Sequence, residues 1–316
     1  MIKKLYHDRI RRENMLDILM RAGSFVCIIL LGWFLRRIGF FKAEDFSVLS
    51  KIVIRITLPC AIITSFAGKT IDPAMLSLTA LAIGCGFLYI GIGYVMNIHT
   101  SREKQAFEML NLPGYNIGTF VIPFVQSFLG PLGVLAVSLF DTGNAVICLG
   151  GAYSISAMVK DGCGFSVRRI VKALATSVPF MCYLTMLLVN LLKLQVPEFV
   201  LSFAGIGSNA NAFMAMLMIG VGFKLEANRD QIKTVVRLLS IRYGVAFILS
   251  LLCYNLLPFA LEVRQALVIL LCSPIGSAVP GFTEELKGDV GLSSAMNSIA
   301  IVISIVITVV FLSVML

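Results

Sequence analysis

The chain has 316 residues, 58% of them hydrophobic and only 14% charged, with a mean hydropathy of +0.93 and a formal net charge of +9. Soluble domains carry about 25% charged residues, so the composition excludes an ordinary soluble enzyme and points to a chain built inside a bilayer. The positive balance raises nucleic acid as a partner, but the placement of the charges along the chain argues against it.

A basic tail, residues 1–16, comes first. It is not read as a cleavable signal peptide, because its charged stretch is long and the next apolar run is a full span without a small-residue cleavage site. Ten apolar runs follow, each near the roughly 20 residues that a spanning helix needs. Their limits are 17–35, 46–68, 73–97, 105–129, 132–158, 170–192, 198–222, 235–258, 265–283 and 291–315. Connectors such as Gly130-Pro131 and the run from Pro258 to Arg264 are too short to hold a soluble catalytic domain, so function is expected inside the membrane.

Basic residues gather in the odd-numbered loops: Arg36, Arg37 and Lys42; Arg102 and Lys104; Lys160, Arg168, Arg169 and Lys172; Lys224, Arg229 and Lys233; and Lys287. The even-numbered loops hold only Lys69, Lys193 and Arg264. The positive-inside rule then makes the odd loops cytoplasmic, which predicts a multi-pass protein of the cell (plasma) membrane with both termini outside. Lys3, Lys4, Arg9, Arg11, Arg12 and Arg21 in and near the tail conflict with that orientation. Two readings stay open: the tail lies on the membrane surface as an amphipathic helix, or translation starts at Met15 and most of those charges are absent.

The fourth and ninth runs are each broken by helix-hostile residues at matching places. The first break reads Asn111-Leu112-Pro113-Gly114-Tyr115-Asn116-Ile117-Gly118, with Pro123 beyond it; the second reads Ser273-Pro274-Ile275-Gly276-Ser277-Ala278-Val279-Pro280-Gly281. Unwound backbone in hydrocarbon leaves N–H and C=O groups unpaired at several kcal/mol each, so it persists only inside protein or beside a wet cavity. Paired interruptions of this kind point to the substrate site of a secondary transporter. A Gly-x-x-Gly turn follows each break, Gly130 to Gly133 and Gly288 to Gly291. With five spans on either side of residue 160, the second copy must insert upside down. The expected fold class is an all-α membrane protein of ten transmembrane helices in two inverted five-helix repeats, with broken crossing helices four and nine. The repeats are placed at 17–158 and 170–316, joined by a cytoplasmic connector at 159–169.

The run from Asn116 through Gly118, Pro123 and Gly130 to Gly133 resembles the signature of the auxin efflux carrier family, a group of bacterial permeases related to plant PIN carriers. Leu58-Pro59 resembles that family's Leu-Pro in the second span and Pro274 its proline in the ninth, whereas Ile117 and Val121 depart from the pattern. The resemblance implies spans four and nine crossing, and a carrier domain that moves against a scaffold. Val121, where the family usually has glycine, would hold the crossing helices farther apart.

The candidate substrate-binding residues are Asn116, Gly118, Ser273, Gly276, Ser277, Asn209 and Asn211. Asn116 sits at the break, where its amide can meet a carboxylate or satisfy freed backbone groups. Asn209, Asn211 and Ser208 form a polar cluster that either lines the cavity or is small-residue helix packing. Asn111 is read as a cap for a half-helix. Pro123, Pro274 and Pro280 set the crossing geometry by removing donors and kinking the chain. Asp141 falls deep in the fifth span, where an ionised carboxylate costs about 2.5–3.5 kcal/mol. It is read either as a coupling group, with Asn144, or as a structural partner for Asn144, the broken helix or an arginine. Asp141-Thr142-Gly143 also spells an aspartic-protease motif, taken as a chance match for want of an equally deep second carboxylate. Arg55, Arg237 and Arg242 are read as snorkelling to the interface, with an arginine reaching inward toward an anionic substrate as the lesser alternative, and Glu284 and Glu285 as marking the cytoplasmic end of span nine.

Cysteines 27, 60, 85, 148, 163, 182, 253 and 272 show no metal or redox spacing and are read as small apolar residues. His7 and His99 lie in the tail and a loop. No metal and no cofactor is expected. There is no Gly-x-x-x-x-Gly-Lys-Ser/Thr nucleotide loop, so transport driven directly by ATP is disfavoured; sodium, proton or no coupling ion all stay open. The expected function is secondary active transport of a small organic anion, a carboxylate, by alternating access. A membrane-embedded enzyme using Asp141, and a non-transporting sensor on a carrier fold, are the alternatives. The expected partners are that anion and the lipid bilayer, with a homodimer left open and no nucleic acid.

Overall fold

The computed structural model describes residues 2–42, 44–69, 71–162, 164–223 and 229–315, with the side chains of 2–18, 229 and 230 outside the description. Cys163, Lys224 and the side chains of Lys3, Lys4, His7, Arg9, Arg11, Arg12 and Arg229, all singled out above, therefore lie outside the described residues. Among the described residues there are helices, turns and loops and no strand.

The helices, in chain order, are α1 (Ile2–Arg37), α2 (Asp45–Ile52), α3 (Leu58–Phe66), α4 (Ser77–Val95), α5 (Arg102–Asn111), α6 (Ile122–Phe128), α7 (Gly130–Val146), α8 (Ala152–Asp161), α9 (Val167–Thr176), α10 (Val178–Leu191), α11 (Glu198–Gly222), α12 (Arg229–Leu256), α13 (Leu261–Leu271), α14 (Val279–Glu285) and α15 (Val290–Met315). Wide π-helical turns join α2 to α3 (Val53–Thr57), lead into α6 (Ile117–Val121) and join α7 to α8 (Ile147–Gly151). The first two have one physical cause. Pro59 and Pro123 each follow the turn by two residues; a proline has no N–H to donate, and its ring collides with the carbonyl four residues back, so the coil widens there.

Among the described residues, seven helical stretches are long and apolar enough to cross a membrane: Leu19–Arg37, Asp45–Phe66, Pro73–Val95, Gly130–Asp161, Glu198–Gly222, Gln231–Leu256 and Val290–Met315. The expected spans four, six and nine are interrupted. The fourth divides at 112–116 and the ninth at 272–278, as the helix breakers in the sequence require. The sixth, expected as one run over 170–192, instead bends by 78° between α9 and α10. Ser177 caps α10 by accepting from the N–H of Phe180, and Pro179 stands in its first turn, so a new helix starts where continuous apolar residues suggested none. α9 carries Arg168, Arg169 and Lys172 beside exposed Val167 and Val171, the make-up of a helix lying along a membrane surface.

Helices in lipid gain little from burying apolar surface against one another, and close backbone packing takes that role. The α1–α11 pair illustrates it. A Cβ on Gly220 would fall well inside contact with the carbonyl oxygen of Ile29, and one on Gly32 would lie 2.5 Å from that of Leu217. Both obstacles are backbone and cannot rotate away. Gly220→Val is expected to force α1 off α11 and destabilise the protein by about 1–3 kcal/mol or more, read as a lower melting temperature in detergent; an unchanged melting temperature would show that the pair tolerates separation.

Candidate functional site

Each break is local chemistry before it is tertiary structure. α5 stops at Asn111; Pro113 offers no donor to continue it, and Gly114 turns the chain at φ +83°, where a Cβ would also lie 2.6 Å from the Cys148 sulfur. Helix resumes at Ile117. α13 stops at Leu271, Pro274 stands in the unwound stretch, and helix resumes at Val279 with Pro280 in its first turn. The two unwound segments meet, since the N–H of Asn116 donates to the carbonyl of Pro274 at 3.0 Å.

The freed carbonyls of both breaks converge on one side chain, that of Arg242 in α12, which is 1% exposed. Its guanidinium donates to the carbonyl oxygens of Leu112, Gly114 (2.8 Å), Ser273 (3.2 Å) and Pro274 (3.3 Å). Tyr115 and Tyr89 stand over it with ring centres 5.2 and 5.5 Å away, and Tyr89 donates its hydroxyl to the Arg242 carbonyl at 2.9 Å. A planar guanidinium with five donors suits carbonyls from two chain segments at once better than the three-donor ammonium of a lysine. The snorkelling reading of Arg242 is thereby corrected. Its depth was hidden because α12 runs unbroken from Arg229, so distance along the sequence said little about which face the residue takes.

On the other side of the first break lies a cavity of about 170 Å³. All three π-helical turns reach it, through Ile54, Ile117 to Thr119, and Cys148 with Leu149. Asn116 lines it: Oδ1 accepts from the Thr119 hydroxyl, while Nδ2 makes no hydrogen bond among the described residues. Asp141 lines it too, its carboxylate oxygens accepting from Asn144 Nδ2 and the Tyr183 hydroxyl, each at 2.9 Å. Asn144 in turn clasps the peptide of the first break. Its Oδ1 accepts from the Tyr115 N–H at 3.1 Å and its Nδ2 donates to the Tyr115 carbonyl at 3.0 Å. The carboxylate is thus linked to the unwound backbone through a single amide.

Of the residues singled out from the sequence, Asn116, Gly118, Asp141, Asn144, Gly276 and Ser277 come together around this cavity. Ser273 lies behind it, fully buried, with its hydroxyl unpartnered among the described residues and its carbonyl on Arg242. Pro123 stands in the first turn of α6, Pro280 in that of α14, and Pro274 supplies the carbonyl that Asn116 meets. Asn211 is placed elsewhere, buried between α11 and the turn before α3, where its Oδ1 accepts from the Thr57 hydroxyl at 2.9 Å. Ser208 pairs with Thr64 and Gln126, and Asn209 is exposed on the far face of α11. None of the three lines the cavity.

Two further readings change. Asn111 does not open a half-helix; it ends α5, donating to Thr283 and accepting from Ser293, and so ties the first broken stretch to α14 and α15. Glu108 is a second deeply buried carboxylate that the sequence reading passed over, paired with Arg237 and with Asn97 Nδ2 at 2.6 Å. Arg237 is thus an ion-pair partner. Glu108 stands near the start of the expected run 105–129, just beyond Arg102, Glu103 and Lys104, where its place at the end of a span gave no sign of its depth. Glu285, expected at the end of span nine, ends α14 and pairs with Arg169 of α9.

Multiple apolar helices, two broken stretches meeting at their breaks, and a polar cavity beside that meeting point define a multi-pass membrane transport protein. Residues 18–162, just under half of the chain, match the family model described as a membrane transport protein. That model represents the auxin efflux carrier domain, and the match over the first half of the chain supports membership of that family. It is a family of transporters, consistent with a role other than catalysis. No curated protein matches the chain.

Proposed function

We propose that this protein is a secondary active carrier that moves a small organic anion, a carboxylate, by alternating access. The observation that carries the reading is the cavity at the meeting of the two breaks, with a free amide at Asn116, the start of the Ile117–Phe128 helical stretch on its wall and a fixed guanidinium behind it. The first N–H groups of a helix have no intrahelical partner and carry its positive end; Arg242 adds a full positive charge nearby. Together they favour a negative ligand. The cavity's 170 Å³ is small against the roughly 300–1,000 Å³ of sites for drug-sized ligands, which favours a short acid over a large amphiphile at this place.

The same reading takes the interrupted stretches as spans, giving ten in two inverted five-helix repeats, with the broken fourth and ninth moving together as a carrier unit. It places the protein in the plasma membrane with the basic odd-numbered loops inside. That orientation predicts that a membrane-impermeant amine reagent applied to intact cells modifies Lys69 and Lys193 and spares Arg168's neighbour Lys172; the opposite pattern would reverse it.

In this carrier Asn116 contacts the substrate. Asn116→Ala removes the free amide and the acceptor for Thr119 while leaving the backbone bond to Pro274. One lost hydrogen bond to a charged group is worth about 1.5 kcal/mol or more, so KM for the carboxylate should rise roughly tenfold with normal amounts of folded protein in the membrane. Uptake of radiolabelled carboxylates into proteoliposomes measures this, and an unchanged KM would remove Asn116 from the site.

A further inference from the structure

A second cavity, of about 660 Å³, lies at the other ends of α3 and α10, where Lys69 and Lys193 stand over a wall of Phe66, Met186, Val189 and Leu201. It is separate from the crossing: Leu58 lines the one and Phe66 the other, about 12 Å apart at the rise of an α-helix. Among its described lining residues there is no aspartate or glutamate to neutralise the lysines. The loops at this end of the molecule are poor in positive charge, holding only Lys69, Lys193 and Arg264, and two of those three converge on one cavity.

The convergence is built. Asn190 near the end of α10 donates from Nδ2 to the Lys69 carbonyl and accepts at Oδ1 from the Ile71 N–H at 3.3 Å, which ties the α3 loop to α10. Lys193 follows directly on the last turn of α10 and sits at φ +55°, with its N–H on the Asn190 carbonyl and that of Leu194 on Val189. That is the position glycine usually fills at a helix end, since a side chain there is strained.

We propose that this cavity is a second anion site, taking an amphipathic anion whose carboxylate or phosphate head lies between Lys69 and Lys193 and whose apolar body rests on Phe66, Met186 and Leu201. The ligand is a free fatty carboxylate or the head and upper chain of an anionic lipid. The test is equilibrium binding of octanoate to purified full-length protein in detergent, with native mass spectrometry of retained phosphatidylglycerol as the lipid arm. The lysines are exposed, so Lys69→Gln/Lys193→Gln should fold normally, checked by its melting temperature. It should bind octanoate roughly tenfold more weakly, or lose phosphatidylglycerol that the wild type retains, while Lys69→Arg/Lys193→Arg keeps both. Octanoate loss with lipid unchanged identifies a free acid; the reverse identifies a lipid. Octanoate and lipid binding equal to wild type in the double Gln variant would overturn the site. Octanoate binding lost only in Asn116→Ala would overturn it as well and leave the crossing cavity as the anion site.

Discussion

Replacing Arg242 with methionine is expected to abolish transport and to lower the melting temperature of the purified protein. The guanidinium serves carbonyls at 112, 114, 273 and 274, from both breaks. Methionine is close in volume but leaves those oxygens without a donor inside the protein, where each unsatisfied polar group costs about 1–3 kcal/mol. The two unwound segments would lose the only cation that joins them among the described residues. Arg242→Lys is expected to fall between the two, because an ammonium keeps the charge but has three donors and no planar fork. Thermal denaturation and proteoliposome uptake on the three proteins would check the order. Wild-type melting and uptake in the methionine variant would mean that the breaks hold together without the cation.

Asp141→Asn is expected to remove uptake driven by a pH gradient and to leave exchange between two substrate pools intact. The structural half of the argument is that asparagine keeps an acceptor for one of the two donors, Asn144 Nδ2 or the Tyr183 hydroxyl, at a cost of about 1 kcal/mol for the bond it gives up. The protein should therefore stay folded. The functional half rests on the proposed anion. A carboxylate substrate and an ionised Asp141 in one cavity of 170 Å³ repel strongly at low dielectric, so substrate entry favours the protonated aspartic acid and links proton to substrate. Exit on the other side then releases both. Full gradient-driven uptake by the Asn variant would rule out Asp141 as the coupling group, and a variant that fails to fold would assign the residue to the scaffold that holds Tyr115 through Asn144.

Much of the candidate site's geometry was legible because the chemistry of a break is local. Proline lacks a donor and glycine tolerates φ +83°, so Pro113-Gly114 and Pro274 mark unwound backbone whatever surrounds them. Asp141 announced itself by its cost in an apolar run. By contrast, the cluster of Ser208, Asn209 and Asn211 was close in sequence but fans around α11 at 100° per residue, and its members end on different faces. The bend in the sixth run escaped notice because its cause is one capping serine and one early proline among continuous apolar residues.

The sequence by itself determined the membrane class, the positions of the two breaks, the family signature and the carboxylate at 141, because these depend on composition and on backbone chemistry within a few residues. Only the tertiary structure decided what the freed backbone groups pair with. The answers, Arg242 for the carbonyls of both breaks, Asn144 for the Tyr115 peptide and Pro274 for the Asn116 N–H, come from residues between 29 and 158 positions away. A buried hydrogen bond is made by whichever side chain packing brings within about 3 Å, and that choice is written in helix faces and crossings rather than in any one stretch of chain.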